Sequence, residues 1–253
     1  MTPAHRILVG AAAIAVAAAG CGADEPTSAE SPDLPPLAPR VTASPDAPGV
    51  GFNDPDALTL SLLGPEDLPA GFIAEPDPVL DLGLPPAEPD ESGASSTEPA
   101  VCAGVLSEIA VQRPGAIVAS ASRYTGPGFS SIDQDAASYR DSAVAATAFA
   151  DLQDILAGCA SYRGTDADGF AVDYTVGGRE QGAGSSDIEG VPTVNFRVVT
   201  ASEGFSLYSD VVIAAVGPTL VQLVATGPDP IEPAVLDDLT DAAIEKIAAG
   251  PPG

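Results

Sequence analysis

Histidine is nearly missing from this chain: of 253 residues one is a histidine, His5, and it lies within the first 20. Beyond that point there is no imidazole, which excludes Ser-His-Asp and Cys-His catalysis and histidine-ligated metal sites, since all of them use that group near pH 7. Cations are scarce as well, with 9 Lys and Arg against 36 Asp and Glu and a formal net charge of −27. A surface that follows phosphates needs clustered Lys and Arg, so nucleic acid is excluded as a partner and anionic head groups are repelled. Tryptophan is absent and lysine rare, while Ala, Gly, Pro and Asp abound, a composition that points to a high-GC genome and an actinobacterial envelope. The run from Ile7 to Ala19 falls short of the ~20 apolar residues that a spanning helix needs.

What is present at the start is an export signal. His5 and Arg6, the apolar run and Gly20 precede Cys21, so residues 1–20 read as a lipoprotein signal peptide. Ala18-Ala19-Gly20-Cys21 resembles a lipobox, with Ala18 where Leu is usual, and Cys21 is the expected lipidation site, carrying diacylglycerol and palmitate. The alternative is a secretory signal without lipid. The expected location is the extracytoplasmic face of the cell membrane, with the membrane a partner through the lipid anchor. Two cysteines remain, Cys102 and Cys159, an even number in an oxidising compartment, and a disulfide between them is expected. It would close a loop of about 58 residues, worth roughly 4 kcal/mol in the chain-entropy description. A free thiol would instead need a neighbouring base or cation.

Eight prolines lie between Gly22 and Pro55, and residues 21–55 read as a disordered tether. Extended at ~3.1 Å per residue, it would hold a domain up to ~100 Å from the bilayer. The domain spans residues 56–250, with a long loop at 75–100. A short helix at 56–63 with Asn53 or Asp54 as cap, a turn at Pro65-Glu66-Asp67 and an inward-turned Phe72 open it. A helix at 105–112, strands at 117–124 and 136–140, and a helix at 143–158 capped by Ser142 follow. Period-two patterning then marks strands at 160–165, 170–176, 191–201, 205–216 and 219–227. Short connections at 202–204 and 217–218 predict an antiparallel meander, and Pro233 opens a closing helix. The fold class is α+β: an antiparallel sheet with helices packed mainly on one face, preceded by the tether.

Chemistry-bearing motifs are few. Asp166-Ala167-Asp168-Gly169 with Asp173 resembles part of a calcium loop but lacks its closing Glu, position 175 being Thr, so a hairpin turn is the expectation. The acidic pairs Asp133/Asp135 and Asp237/Asp238 have the residue types of a glycosidase pair, in a chain where carboxylates are everywhere. The glycine-rich stretch 177–184 lacks the ending of a phosphate loop. Arg123, Arg140 and Arg197, with Arg163 and Arg179, are candidate anion ligands if they share a cleft; otherwise they pair with neighbouring carboxylates. No catalytic residue, metal site or cofactor is expected.

Leu62 to Phe72 (Leu-Leu-x-x-x-Asp-Leu-Pro-x-Gly-Phe), Cys102 near a first helix, a tyrosine-bearing strand before an Ala-rich helix ending at Cys159, and the Val211 to Gly217 strand together carry a likeness. The chain resembles mycobacterial and related actinobacterial lipoproteins whose outer domain resembles the extracellular sensor domain of PknH-type serine/threonine kinases. The resemblance covers about residues 56–249. It implies an α+β sandwich with a cleft for an unidentified ligand; this chain departs from the kinase domains in being able to make one disulfide where they have two, and neither a kinase nor a transmembrane segment is expected in it, so direct signalling through a membrane is not expected. The functional expectation is a non-catalytic, lipid-anchored cell-envelope protein whose sensor-like domain binds a small ligand or an envelope component. Its alternatives are a lipid or glycolipid carrier and a carboxylate-dependent hydrolase.

Overall fold

The computed structural model describes residues 33–75, 95–179 and 190–251. Its frame is one antiparallel sheet of nine strands: β1 (Ile73–Ala74), β2 (Ser96–Glu98), β3 (Val118–Thr125), β4 (Ser131–Ser138), β5 (Ser161–Thr165), β6 (Ala171–Gly177), β7 (Thr193–Ser202), β8 (Phe205–Val216) and β9 (Thr219–Gly227). The spatial order is β1-β3-β4-β9-β8-β7-β6-β5-β2. β5 to β9 form the meander expected from the short connections. Among the described residues four α-helices accompany the sheet: α1 (Pro55–Thr59), α2 (Ile109–Gln112), α3 (Ser142–Gly158) and α4 (Pro233–Ala249).

The helices cover both faces of the sheet, which corrects the expectation of one. Successive residues of a strand point to opposite faces. Val211, Ile213 and Ala215 of β8 join a core with Phe149, Leu152 and Leu156 of α3, and Ile109 of α2. Val212, Ala214 and Val216 join a second core with Leu236, Leu239, Ile244 and Ile247 of α4, and Leu58 of α1. The sequence shows why. From Val211 to Val216 there is no polar residue, and a strand buried on both sides has a continuous apolar run rather than an alternating one.

Cys102 and Cys159 form the expected disulfide, with Cα atoms 5.7 Å apart, tying the 3-10 turn at Ala100–Gly104 to the end of α3. α3 begins with Asp141 as its cap, whose carboxylate accepts the Val144 N–H at 2.9 Å; the expected cap, Ser142, is the first helical residue and donates to the Ala47 carbonyl. The strand expected at 136–140 is longer and earlier, Ser131–Ser138. Its polar start hid it, because Ile132 and Gln134 face the second core while Asp133 and Asp135 face the first. The helix expected over 105–112 shortens to α2. The far end of the 75–100 loop is β2, paired with β5 at the sheet edge, and residues 76–94 lie outside the described part.

Residues 33–54, composed like a tether, lie along the domain, which corrects that part of the expectation. The side-chain amide of Gln153 on α3 pairs with Val41 in both directions, accepting its N–H at 2.8 Å and donating to its carbonyl at 2.9 Å. Arg40 reaches Asp154 and the Ala150 carbonyl. The Gly178 N–H donates to the Pro35 carbonyl at 2.7 Å, and the Phe52 N–H to Ser138 Oγ at 2.9 Å. Where this strap crosses the β8–β9 turn, Gly49 and Gly217 meet so closely that a Cβ on Gly49 would stand 2.8 Å from the Gly217 Cα. Proline-rich composition marks chain without helix or ladder, and such chain can be held side chain to backbone.

Candidate functional site

Among the described residues, three hollows bear on function. The first, about 440 Å³, lies on the second face at the β3–β4 hairpin, between Phe72, Pro127, Ile132, Ala225, Ile231 and Val235. Its position follows from local sequence: Pro69 and Gly71 (φ +98°) turn the chain so that Phe72 packs against the second core, as expected. Pro228, Asp229 and Ile231, in the link from β9 to α4, form another wall beside Ala225. The volume falls within the ~300–1,000 Å³ of small-molecule sites, and such sites are mostly apolar.

A second hollow, about 180 Å³, is polar and lies on the first face, between Glu108, Arg123, Asp133, Asp135 and Gln222. Arg123 donates to Glu108 at 2.7 Å and stands 3.9 Å from Asp133. Burial pushes the Asp133 carboxyl up from its ordinary range. Asp135 is buried more deeply, and desolvation raises it to about 7 against the hydrogen bonds it accepts. Those bonds come from the Ile109 N–H at 2.8 Å and Gln222 Nε2 at 3.0 Å. Both oxygens of Asp135 thus hold elements in place, α2 to β4 and β4 to β9. A third hollow, about 450 Å³, lies between the strap at Leu37–Val41, the end of α3 and the start of β7.

The arginines named from sequence do not converge. Arg123 lines the polar hollow on the first face. Arg197 alternates with Phe196 and Val198 of the first core, so it points to the opposite face, where it grips Asp210 of β8 at 2.8 and 3.0 Å. Arg140 lies beyond the end of β4 against Asp141. Arg163 pairs with Asp173, and Arg179 with Asp237 in a buried contact. An anion cleft built from these side chains is therefore not formed. Asp166 accepts the N–H groups of Asp168 and Phe170, the expected hairpin turn, and among the described residues no group of three His, Cys, Asp or Glu is placed to hold a metal ion. The apolar hollow at Phe72 escaped sequence reading because its walls come from four separate segments; only the inward turn at Pro69-Ala70-Gly71-Phe72 announced it.

No family model matches the chain, and no curated protein does. Solved structures do. The extracellular domain of PknH from Mycobacterium tuberculosis superposes with a TM-score of 0.57 at 12% identity, over 79% of this chain and 98% of that one. A Mycobacterium smegmatis protein, an Rv0999 ortholog, matches at a TM-score of 0.38 and 17% identity, over 81% of this chain and 98% of its own. The fold of this domain is therefore that of the PknH extracellular domain, reached with little shared sequence. Among the described residues no helix is long and apolar enough to cross a membrane.

Proposed function

We propose that this chain is a lipid-anchored protein of the cell envelope, exported and held at Cys21, whose sensor-like domain binds a small apolar ligand without catalysing a reaction on it. The observation that carries this reading is the 440 Å³ hollow at Phe72, Ile132, Ala225 and Val235 in a fold shared with an extracellular domain. The export signal before Cys21 and the Cys102–Cys159 bond fit the same compartment. The polar hollow supports binding rather than hydrolysis, because both oxygens of Asp135 are taken up in joining α2, β4 and β9. A carrier of lipids or glycolipids is the second reading, favoured by the apolar walls of the same hollow.

Two measurements on the full chain made in an actinobacterial host test the proposal. Palmitate labelling should mark the wild type and spare Cys21→Ser; an unlabelled wild type removes the anchor. Native mass spectrometry of the released domain should then separate the readings. A small ligand lost on Ala225→Phe, which fills the hollow, supports the sensor, and a retained acyl lipid supports the carrier. A bare mass unchanged after incubation with envelope extract overturns ligand binding.

A further inference from the structure

The sheet has two unlike ends. Ser131 of β4 lies beside Thr226 of β9, which lies beside Ser209 of β8, and Phe205 of β8 faces Ser202 of β7. Ala201 of β7 in turn faces Asp173 of β6, and Ala171 faces Thr165 of β5. The β3–β4, β5–β6 and β7–β8 hairpins therefore all turn at one end, together with the exit from β9. The chain has seven phenylalanines. Three are buried in the cores, Phe52, Phe149 and Phe196, while the three that are exposed all stand at this end: Phe129 (92% exposed), Phe205 (58%) and Phe170 (47%). Given the ~150–250 Å² of an aromatic side chain, they show roughly 400 Å² together, spread along this end of the sheet.

Phe129 sharpens the point. It sits in the β3–β4 turn at φ +63°, a conformation that disfavours a bulky side chain, and it buries nothing in return. A strained residue that presents an aromatic ring to solvent is accounted for by what the ring meets. Phe170, just before β6, and Phe205, at the start of β8, belong to strands two apart in the sheet order and so lie ~10 Å apart across it, with Phe129 two to three strand spacings further along. The apolar hollow opens behind it at Pro127.

Charge selects what this end meets. The turns carry Asp166, Asp168 and Glu203, and the exit from β9 carries Asp229. All eight Lys and Arg side chains of the described residues are engaged in ion pairs, Arg163 with Asp173 being near this end. Among the described residues a second copy of the chain offers these carboxylates only cations already held by its own acids, within a large acid excess that repels a like copy, and an anionic bilayer is repelled as well. We infer that the hairpin end of the sheet is the docking surface for a different protein, one that receives Phe129, Phe170 and Phe205 on an apolar patch rimmed by lysine or arginine. Rings of this kind at the centre of an interface, with charge at its edge, are the usual division between binding energy and selectivity.

The test uses the full chain in the envelope of living cells of its own host. A photoreactive benzoylphenylalanine replaces Phe129 or Phe205, or, as a control at the other end of the sheet, the exposed Ile117. The expected result is a protein adduct from both hairpin positions and none from position 117. Glu203→Lys with Asp229→Lys should weaken that adduct by about tenfold, and so should illumination of the wild-type rim in high salt, which needs no charge substitution. An adduct to lipid, an adduct between two copies of this chain, no adduct, or one indifferent to both salt and charge reversal overturns the inference. None of these outcomes depends on whether the hollow holds a ligand.

Discussion

Asp135 is the residue whose chemistry departs furthest from its sequence. In an unfolded chain its carboxyl titrates near 4, whereas burial raises it to about 7 in the fold. Between those values the native state holds a proton that the unfolded state has lost. Stability from this group is therefore greatest at and below about pH 4, falls as pH rises toward 7, and is level above that. Asp135→Asn keeps an oxygen for the Ile109 N–H and carries no charge, so its stability relative to the wild type should improve by a few kcal/mol between about pH 4.5 and about pH 7.5. Urea midpoints at the two pH values check it, and parallel behaviour of the two proteins would remove the raised carboxyl from the account. Nothing in Ser131-Ile132-Asp133-Gln134-Asp135 foretells this. Acidic residues in a strand read as its solvent side until the elements packed over them are known.

Among elements, the strongest patterns were the most legible. β8 and β9 fall where alternation and short turns place them, and α3 where Ala145, Ala148, Phe149, Leu152 and Leu156 repeat at three and four. Periodicity says which residues are apolar, not how many layers cover them, so the second face was visible only as the unbroken run Val211 to Val216. The strap at 33–54 was illegible for a different reason: its bonds belong to the partners. Gln153 looks like a polar residue on a helix and acts as a two-sided backbone mimic. Gln153→Ala should cost about 1–3 kcal/mol, since it strands a partly buried N–H and carbonyl at Val41. Gly49→Val, which drives a side chain into Gly217, should lift the strap at its other end. Limited proteolysis reads both directly, with cleavage between residues 40 and 54 appearing in each variant before any cut in α3 or the sheet. If the strap and the sheet are cut together, the strap is part of one cooperative unit with the cores and not a separable layer upon them.

At the scale of the whole molecule, the acid excess and the ion pairs pull in opposite directions. Eight described cations each hold a carboxylate, and most of these pairs are at the surface, where each is worth ~0–1 kcal/mol and is weakened by salt. Against them stands a net charge of −27 on the chain, which works against the compact state through self-repulsion and is weakened by salt as well. The excess is several times the number of pairs, so repulsion is the larger of the two. Raising sodium chloride from about 0.02 M to about 0.5 M at pH 7 should therefore increase the urea midpoint, shrinking the Debye length from roughly 20 Å to roughly 4 Å. The same salt step at about pH 4, where the exposed carboxyls are half neutral, should produce a much smaller change. A midpoint that falls with salt at pH 7 would mean that the paired arginines, with Arg197–Asp210 and Arg179–Asp237 the most buried, outweigh all the unpaired acid. The acidity would then shape what the surface meets without weakening the fold beneath it.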